Sequence, residues 1–109
     1  MPPQSLDLSP EDLHRRLRAG DDLQLIDVRE EMEFDYCHLP GSLLVPLDEL
    51  PRRAAEIRTA GPVVVICHHG VRSAHAASYL RHLGRTNVLN LRGGVDAWAL
   101  RVDPDFPVY

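Results

Sequence analysis

Apolar residues along this chain fall into two patterns, short unbroken runs and longer stretches at helical spacing. Pro62-Val63-Val64-Val65-Ile66 is a β-branched run that predicts a strand buried on both faces. Leu23 to Val28 predicts another, Ser42 to Pro46 a short one, and Asn87 to Leu91 a further one; Leu6-Asp7-Leu8 alternates like an edge strand. Between the runs lie helix signals. Ser9 reads as an N-cap with Pro10 at the first helical position and acids in the first turn, and this helix passes Leu13 and Leu17 to stop at Gly20. Arg29 to Phe34 predicts a helical turn, and His38-Leu39-Pro40-Gly41 a chain reversal. A helix from Leu47 or Asp48 to Arg58 is broken by Thr59-Ala60-Gly61-Pro62. One from Arg72 to Leu83 ends at Gly84, and Gly93-Gly94 turns into a last one, Val95 to Leu100. Asp103 to Pro107 has no period and is expected to lie on the surface.

Strands alternating with helices predict an α/β fold with a parallel sheet covered by helices on both faces, one domain over residues 1–109. Ligands of such sheets sit beyond the carboxyl ends of the strands. Right-handed crossovers place Asp27, Val28, Arg29 and Cys67 at that one edge.

Composition narrows the chemistry. The 44% hydrophobic and 26% charged shares are those of an ordinary globular chain. All 12 basic residues are Arg, which excludes a lysine nucleophile, a Schiff base and a P-loop lysine. The net charge of -4 argues against nucleic-acid binding. No apolar stretch matches a membrane span, and Met1-Pro2-Pro3-Gln4 shows no leader pattern. Cys37 and Cys67 form no disulfide-type pattern, so a reducing cytoplasm is the expected location.

The candidate chemistry is in Cys67-His68-His69-Gly70-Val71-Arg72-Ser73, where a central strand ends and a helix begins. A helix start presents unpaired N–H groups and roughly half a positive charge, which favour a thiolate. Several loop amides are therefore expected to point at the sulfur. Three further motifs accompany the loop: Asp27-Val28-Arg29, His38-Leu39-Pro40-Gly41-Ser42, and Gly93-Gly94-Val95-Asp96-Ala97-Trp98. Together and in this order, they resemble the rhodanese family of sulfurtransferases across nearly the whole chain.

That resemblance implies a single rhodanese-like domain with a five-stranded, mostly parallel sheet. It implies a Cys67 nucleophile that takes sulfane sulfur from thiosulfate or a persulfide and passes it to cyanide in vitro or a thiol in the cell. Acceptors of the thioredoxin, glutathione or sulfur-carrier-protein type are expected, with no cofactor and no metal. The related phosphatases carry one more residue between Cys and Arg, so the shorter loop looks sized for sulfur rather than phosphate. Competing readings are a non-catalytic sulfur-relay or interaction module and a Cys-dependent phosphatase or arsenate reductase. Cys37 stands where the family usually has Gly.

Each site residue has a plain reading beside the functional one. Cys67 is the nucleophile or a buried structural thiol. Arg72 shapes the loop by bonding its carbonyls or a carboxylate, or clamps an anionic donor. His68 and His69 are donors to the substrate or point to solvent; Gly70 and Val71 complete the substrate-binding loop. Ser73 caps the helix or donates to the sulfur. Asp27 and Arg29 are supporting residues that form an ion pair or bond the loop backbone. Cys37 resolves the Cys67 persulfide or is merely packed. A metal site from Cys67, His68, His69, Cys37 and His38 fits ligand spacing poorly. Trp98 reads as core, and His14, His75 and His82 as surface.

Overall fold

The computed structural model describes residues 6–109; the stretch Met1 to Gln4, read above for a leader pattern, lies outside them. Five strands, β1 (Asp7–Leu8), β2 (Gln24–Asp27), β3 (Leu43–Leu44), β4 (Val63–Ile66) and β5 (Val88–Leu91), form a sheet in the order β1-β5-β4-β2-β3. Every neighbouring pair is parallel. The helices are α1 (Pro10–Arg18), α2 (Glu31–Tyr36), α3 (Leu50–Arg53), α4 (Val71–His82) and α5 (Gly94–Arg101). The expected α/β architecture is thus present. Among the described residues no helix is long and apolar enough to cross a membrane.

The two-residue period of β4 divides the core. Val63, Val65 and Cys67 face a cluster with Ile26, Val28, Leu50 and Leu80, while Val64 and Ile66 face one with Leu13, Leu91, Trp98 and Phe106. Each fully buried aliphatic side chain contributes about 1.5–3 kcal/mol, so this four-residue strand anchors both layers. Helix α4 buries Ser73, Ala76, Ala77 and Leu80, one face at helical spacing. Helix α1 starts as expected, with Asp12 N–H donating to Ser9 Oγ. His14 meets the edge of Trp98, whereas His75 and His82 are exposed. The surface reading therefore holds for two of those three histidines.

Two expectations are corrected. The helix from Leu47 to Arg58 is instead a 3-10 turn (Leu47–Glu49), the four-residue α3, and a second 3-10 turn (Ala54–Glu56). Leu50 N–H takes the Leu47 carbonyl, and Pro51 has no N–H to offer it as an α-helix requires. The tail does not simply lie on the surface. Phe106 is buried in the second cluster, and beyond it Tyr109 reaches across the carboxyl edge of the sheet. A segment without periodicity can bury single side chains, which a search for periods does not register.

The carboxyl edge is tied together by charge. Arg29, fully buried, donates from Nε and Nη2 to the Asp27 carboxylate at 2.8–3.1 Å, and Nη2 also reaches the Cys37 carbonyl at 2.5 Å. Burial opposes its charge, but Asp27 and Tyr109 outweigh that and its pKa is raised. Arg29 Nη1 donates to the Tyr109 phenol oxygen at 2.7 Å, and that phenol donates to Glu33 at 2.9 Å. Glu33, on α2, also takes both Nη atoms of Arg72 at 2.7 and 3.0 Å. The Arg72 hydrogen bonds are the main reason its pKa falls to about 2 from 4.5, against burial, which pushes it up.

Helix α5 fixes the other side of the loop after β4. Val95 N–H donates to the Cys67 carbonyl at 2.9 Å and Asp96 N–H to the His68 carbonyl at 3.0 Å. Gly94, at φ +62°, makes this possible: a Cβ there would lie 2.5 Å from the His68 carbonyl carbon and closer to both carbonyl oxygens.

Gly94→Ala should therefore cost about 2–3 kcal/mol in urea unfolding, from overpacking and a left-handed backbone. Gly20→Ala, with a similar φ but open space around it, should cost only about 1 kcal/mol. Glu33 supplies a pH test. Its folded pKa is depressed, so its stabilisation is full above pH 4.5 and fades as pH falls from there towards 2. The stability gap between the natural chain and Glu33→Gln should narrow over that window; a gap constant from pH 7 to 3 would contradict the ion pair.

Candidate active site

Cys67 leaves the end of β4 with its side chain 1% exposed. Its Sγ accepts the Gly70 N–H at 3.0 Å and lies 3.2 Å from Ser73 Oγ. Gly70 sits at φ +92° before the first residue of α4, and a Cβ there would meet Gly93 N at 2.9 Å. Only glycine takes this conformation readily, and it turns the chain back on itself so that its own N–H faces the sulfur. The expected ring of amides on the sulfur reduces, among the described residues, to this one N–H and one hydroxyl. The first-turn N–H groups of α4 have no carbonyl four residues back within the helix, so the positive end of α4 adds to them.

Ser73 does not cap α4; it is the third helical residue, with its side chain turned inward and fully buried. Its Oγ lies 2.5 Å from Asn90 Oδ1. Asn90 Nδ2 donates to Asp7 Oδ1 at 3.0 Å and to the Gly70 carbonyl at 3.3 Å, which fixes the amide so that Oδ1 faces Ser73. A hydroxyl has one proton, so Ser73 donates to Asn90 or to the sulfur at a given moment. Asn90 was not among the residues expected from the sequence. The available signal was a polar side chain at an inward position of an otherwise apolar strand.

Arg72 bonds a carboxylate rather than loop carbonyls, and that carboxylate, Glu33, comes from α2, the helical turn expected after β2. Tyr109 is the other unexpected neighbour: its ring stacks on His68 with centroids 3.8 Å apart. Burial first, then the adjacent His69, lowers the pKa of His68, which keeps its ring neutral at pH 7. His69 and Val71 are exposed. Thus the structure gathers Cys67, Gly70 and Ser73 around one sulfur, with His68 and Arg72 on its flanks. Asp27 and Arg29 pair beneath the same edge. Cys37 is different: it packs in the cluster on the opposite face of the sheet from Cys67, and both thiols are free.

A cleft of about 410 Å³ opens beside Arg72, lined by Val28, Glu30, Pro46, Leu47 and Asp48. These residues follow β2 and β3, so the cleft lies at the carboxyl edge where such sheets bind ligands. Among the described residues, His68, His69 and Asp96 bring ligand atoms within 4.8 Å of one another and could hold a metal ion. The two imidazoles are stacked at 3.8 Å and 26°, however, so their nitrogen lone pairs do not converge. Coordination there requires His69 to rotate. This trio differs from the cysteine-containing set considered from the sequence.

Comparison with known proteins gives this geometry a family. The model of the Rhodanese-like domain matches residues 9–101. The chain is 46% identical over 79 residues to the uncharacterized protein YqhL of Bacillus subtilis, covering 72% of this chain and 63% of that one. It is 39% identical over 93 residues to a sulfurtransferase of Allochromatium vinosum, covering 85% and 87%. A crystal structure of a rhodanese-like domain protein from Staphylococcus aureus superposes with a TM-score of 0.81 at 26% identity, covering 94% of this chain and 97% of that one. Other relatives are much longer: the chain spans 22% of the adenylyltransferase and sulfurtransferase MOCS3 of Aedes aegypti, at 39% identity over 95 residues and 78% of this chain. With the sheet order, the Cys67 loop and the Gly93-Gly94 contact already described, these matches show that the chain belongs to the rhodanese-like domain family.

Proposed function

We propose that this chain is a sulfurtransferase that carries sulfane sulfur as a persulfide on Cys67. The observation that carries this reading is the Cys67 sulfur itself, held at the end of β4 by the Gly70 N–H, beside Ser73 and under the first turn of α4. In the first half-reaction the thiolate attacks the outer sulfur of thiosulfate or a persulfide, and sulfite or a thiolate leaves. In the second, an acceptor attacks the outer sulfur and regenerates the Cys67 thiolate. Cyanide serves as acceptor in an assay and a thiol in the cell. This is covalent catalysis in two steps, with ping-pong kinetics.

The remaining residues have supporting parts. Negative charge on the outer sulfur is met by the helix start, and Ser73 can turn its proton from Asn90 to the sulfur. Arg72, gripped by Glu33, sets the loop geometry instead of contributing a free cation. His68 forms a neutral wall against Tyr109, with His69 and Val71 on the open side of the loop. Asp27 and Arg29 brace the floor. The six-residue span from Cys67 to Arg72 supports sulfur over a phosphate or arsenate group. Similarity to a segment of a protein that pairs adenylyl transfer with sulfur transfer supports a relay setting. There the acceptor would be a sulfur-carrier protein, thioredoxin or glutathione. A free nucleophilic thiol suits a reducing compartment such as the cytoplasm.

Incubation with thiosulfate or a small persulfide should add about 32 Da to the intact protein, and cyanide should remove it. Cys67→Ser should show neither the gain nor turnover. Retention of the added sulfur in Cys67→Ser, or hydrolysis of p-nitrophenyl phosphate in place of sulfur transfer, would refute the proposal.

A further inference from the structure

Two guanidinium groups near the loop are already committed to carboxylates. Arg72 is held by both oxygens of Glu33, and Arg29 by those of Asp27. Glu33 remains ionised at any working pH, because Arg72 holds its pKa at about 2. His68 is neutral at pH 7 through burial and its neighbour His69. The loop therefore offers a dianion no unpaired guanidinium of its own. Beside it, the cleft has an apolar floor of Val28, Pro46 and Leu47, and carries the carboxylates of Glu30 and Asp48 with Arg72 as its lone cation. Because Glu33 cancels Arg72, the cleft's own charge is negative. Glu30 and Asp48 are both exposed, and Glu30, which caps α2, keeps its carboxylate at the rim of the cleft.

Building on the sulfur-transfer reading above, we infer that this cleft is a donor subsite for a persulfide whose own thiol skeleton carries a cationic group, in preference to thiosulfate. The apolar floor accommodates the carbon stem, and Glu30 and Asp48 meet an ammonium or guanidinium a few bonds from the sulfur. The chemistry balances without another reactant. The Cys67 thiolate attacks the terminal sulfur of R–S–SH, a bond from Sγ to that sulfur forms, and the bond from that sulfur to the R-bearing sulfur breaks. Its electron pair leaves on R–S⁻, so one negative charge enters and one departs, and sulfane sulfur changes carrier with no net oxidation. From thiosulfate the same attack expels sulfite and brings two further negative charges against a cleft that is already acidic.

Two small persulfides of matched size and opposite charge test this on the full chain: cysteamine persulfide and 3-mercaptopropionate persulfide, with thiosulfate as third donor. The readout is the rate at which the Cys67 peptide gains about 32 Da. At low salt the cationic probe should load about tenfold faster than the anionic one, the size expected of two rim carboxylates. The ratio should fall towards one in about 0.5 M salt, where exposed charges are screened. The Glu30→Gln/Asp48→Asn pair should flatten it as well. The salt arm uses the unaltered protein and does not depend on how the double variant folds. Equal rates for the two probes, or faster loading from the anionic probe or thiosulfate, would overturn the donor preference while leaving the Cys67 persulfide intact. No loading from any donor would remove the transfer reading, and this one with it.

Discussion

The orientation of two carbonyl groups governs this site. The carbonyls of Cys67 and His68 are turned towards α5, where the Val95 and Asp96 N–H groups donate to them. A peptide unit is rigid, so pointing its oxygen one way points the next N–H the other. The loop can then curl until the Gly70 N–H faces Sγ. Gly94 permits the approach and Gly70 permits the curl; both have positive φ and both would collide with backbone if they bore a Cβ. The dipole of α5 is thus spent on the outside of the loop and that of α4 on its inside. Two helices at the edge of one sheet serve a single seven-residue turn.

A second constraint is charge matching at low exposure. Asp27, Arg29, Tyr109, Glu33 and Arg72 form one connected set that joins β2, α2, the tail and the Cys67 loop. Removing one member of a buried pair strands the other's charge, a cost of about 3–5 kcal/mol. The chain therefore holds this edge together with a network whose charged members, with the Cys37 carbonyl and the Glu30 N–H, compensate one another for lost water. The same pairing decides what the site can attract, because a guanidinium bound to a carboxylate exerts little field at a distance.

Much of this was readable from residue order. The β-branched run before Cys67, the Ser9-Pro10 helix start and the strand-helix alternation each rest on local physics, and the sheet and its helices follow from them. The position of Cys67 at a strand end was equally local. What escaped were partners far away in sequence. Glu33 meets Arg72 across 39 residues, Asn90 meets Ser73 across 17, and Tyr109 meets Arg29 across 80. Glu33 sits on a short helical turn rich in acids, and Tyr109 beyond a segment without period. Only Asn90 left a local trace, as the polar residue in Val88-Leu89-Asn90-Leu91. The role of the double glycine was also hidden: a turn is legible from Gly93-Gly94, but the backbone it must admit is not.

The sheet also acts as a partition. Cys67 belongs to the core on one side and Cys37 to the core on the other, with β4 and its neighbours between them. A disulfide needs its two Cβ atoms within about 4.5 Å, and these two thiols sit in separate clusters and are free. On the transfer reading proposed above, a sulfur atom parked on Cys67 would leave to an incoming thiol rather than across the sheet to Cys37. It would then stay on the molecule until a thiol arrived from outside, and its release would be timed by its visitors.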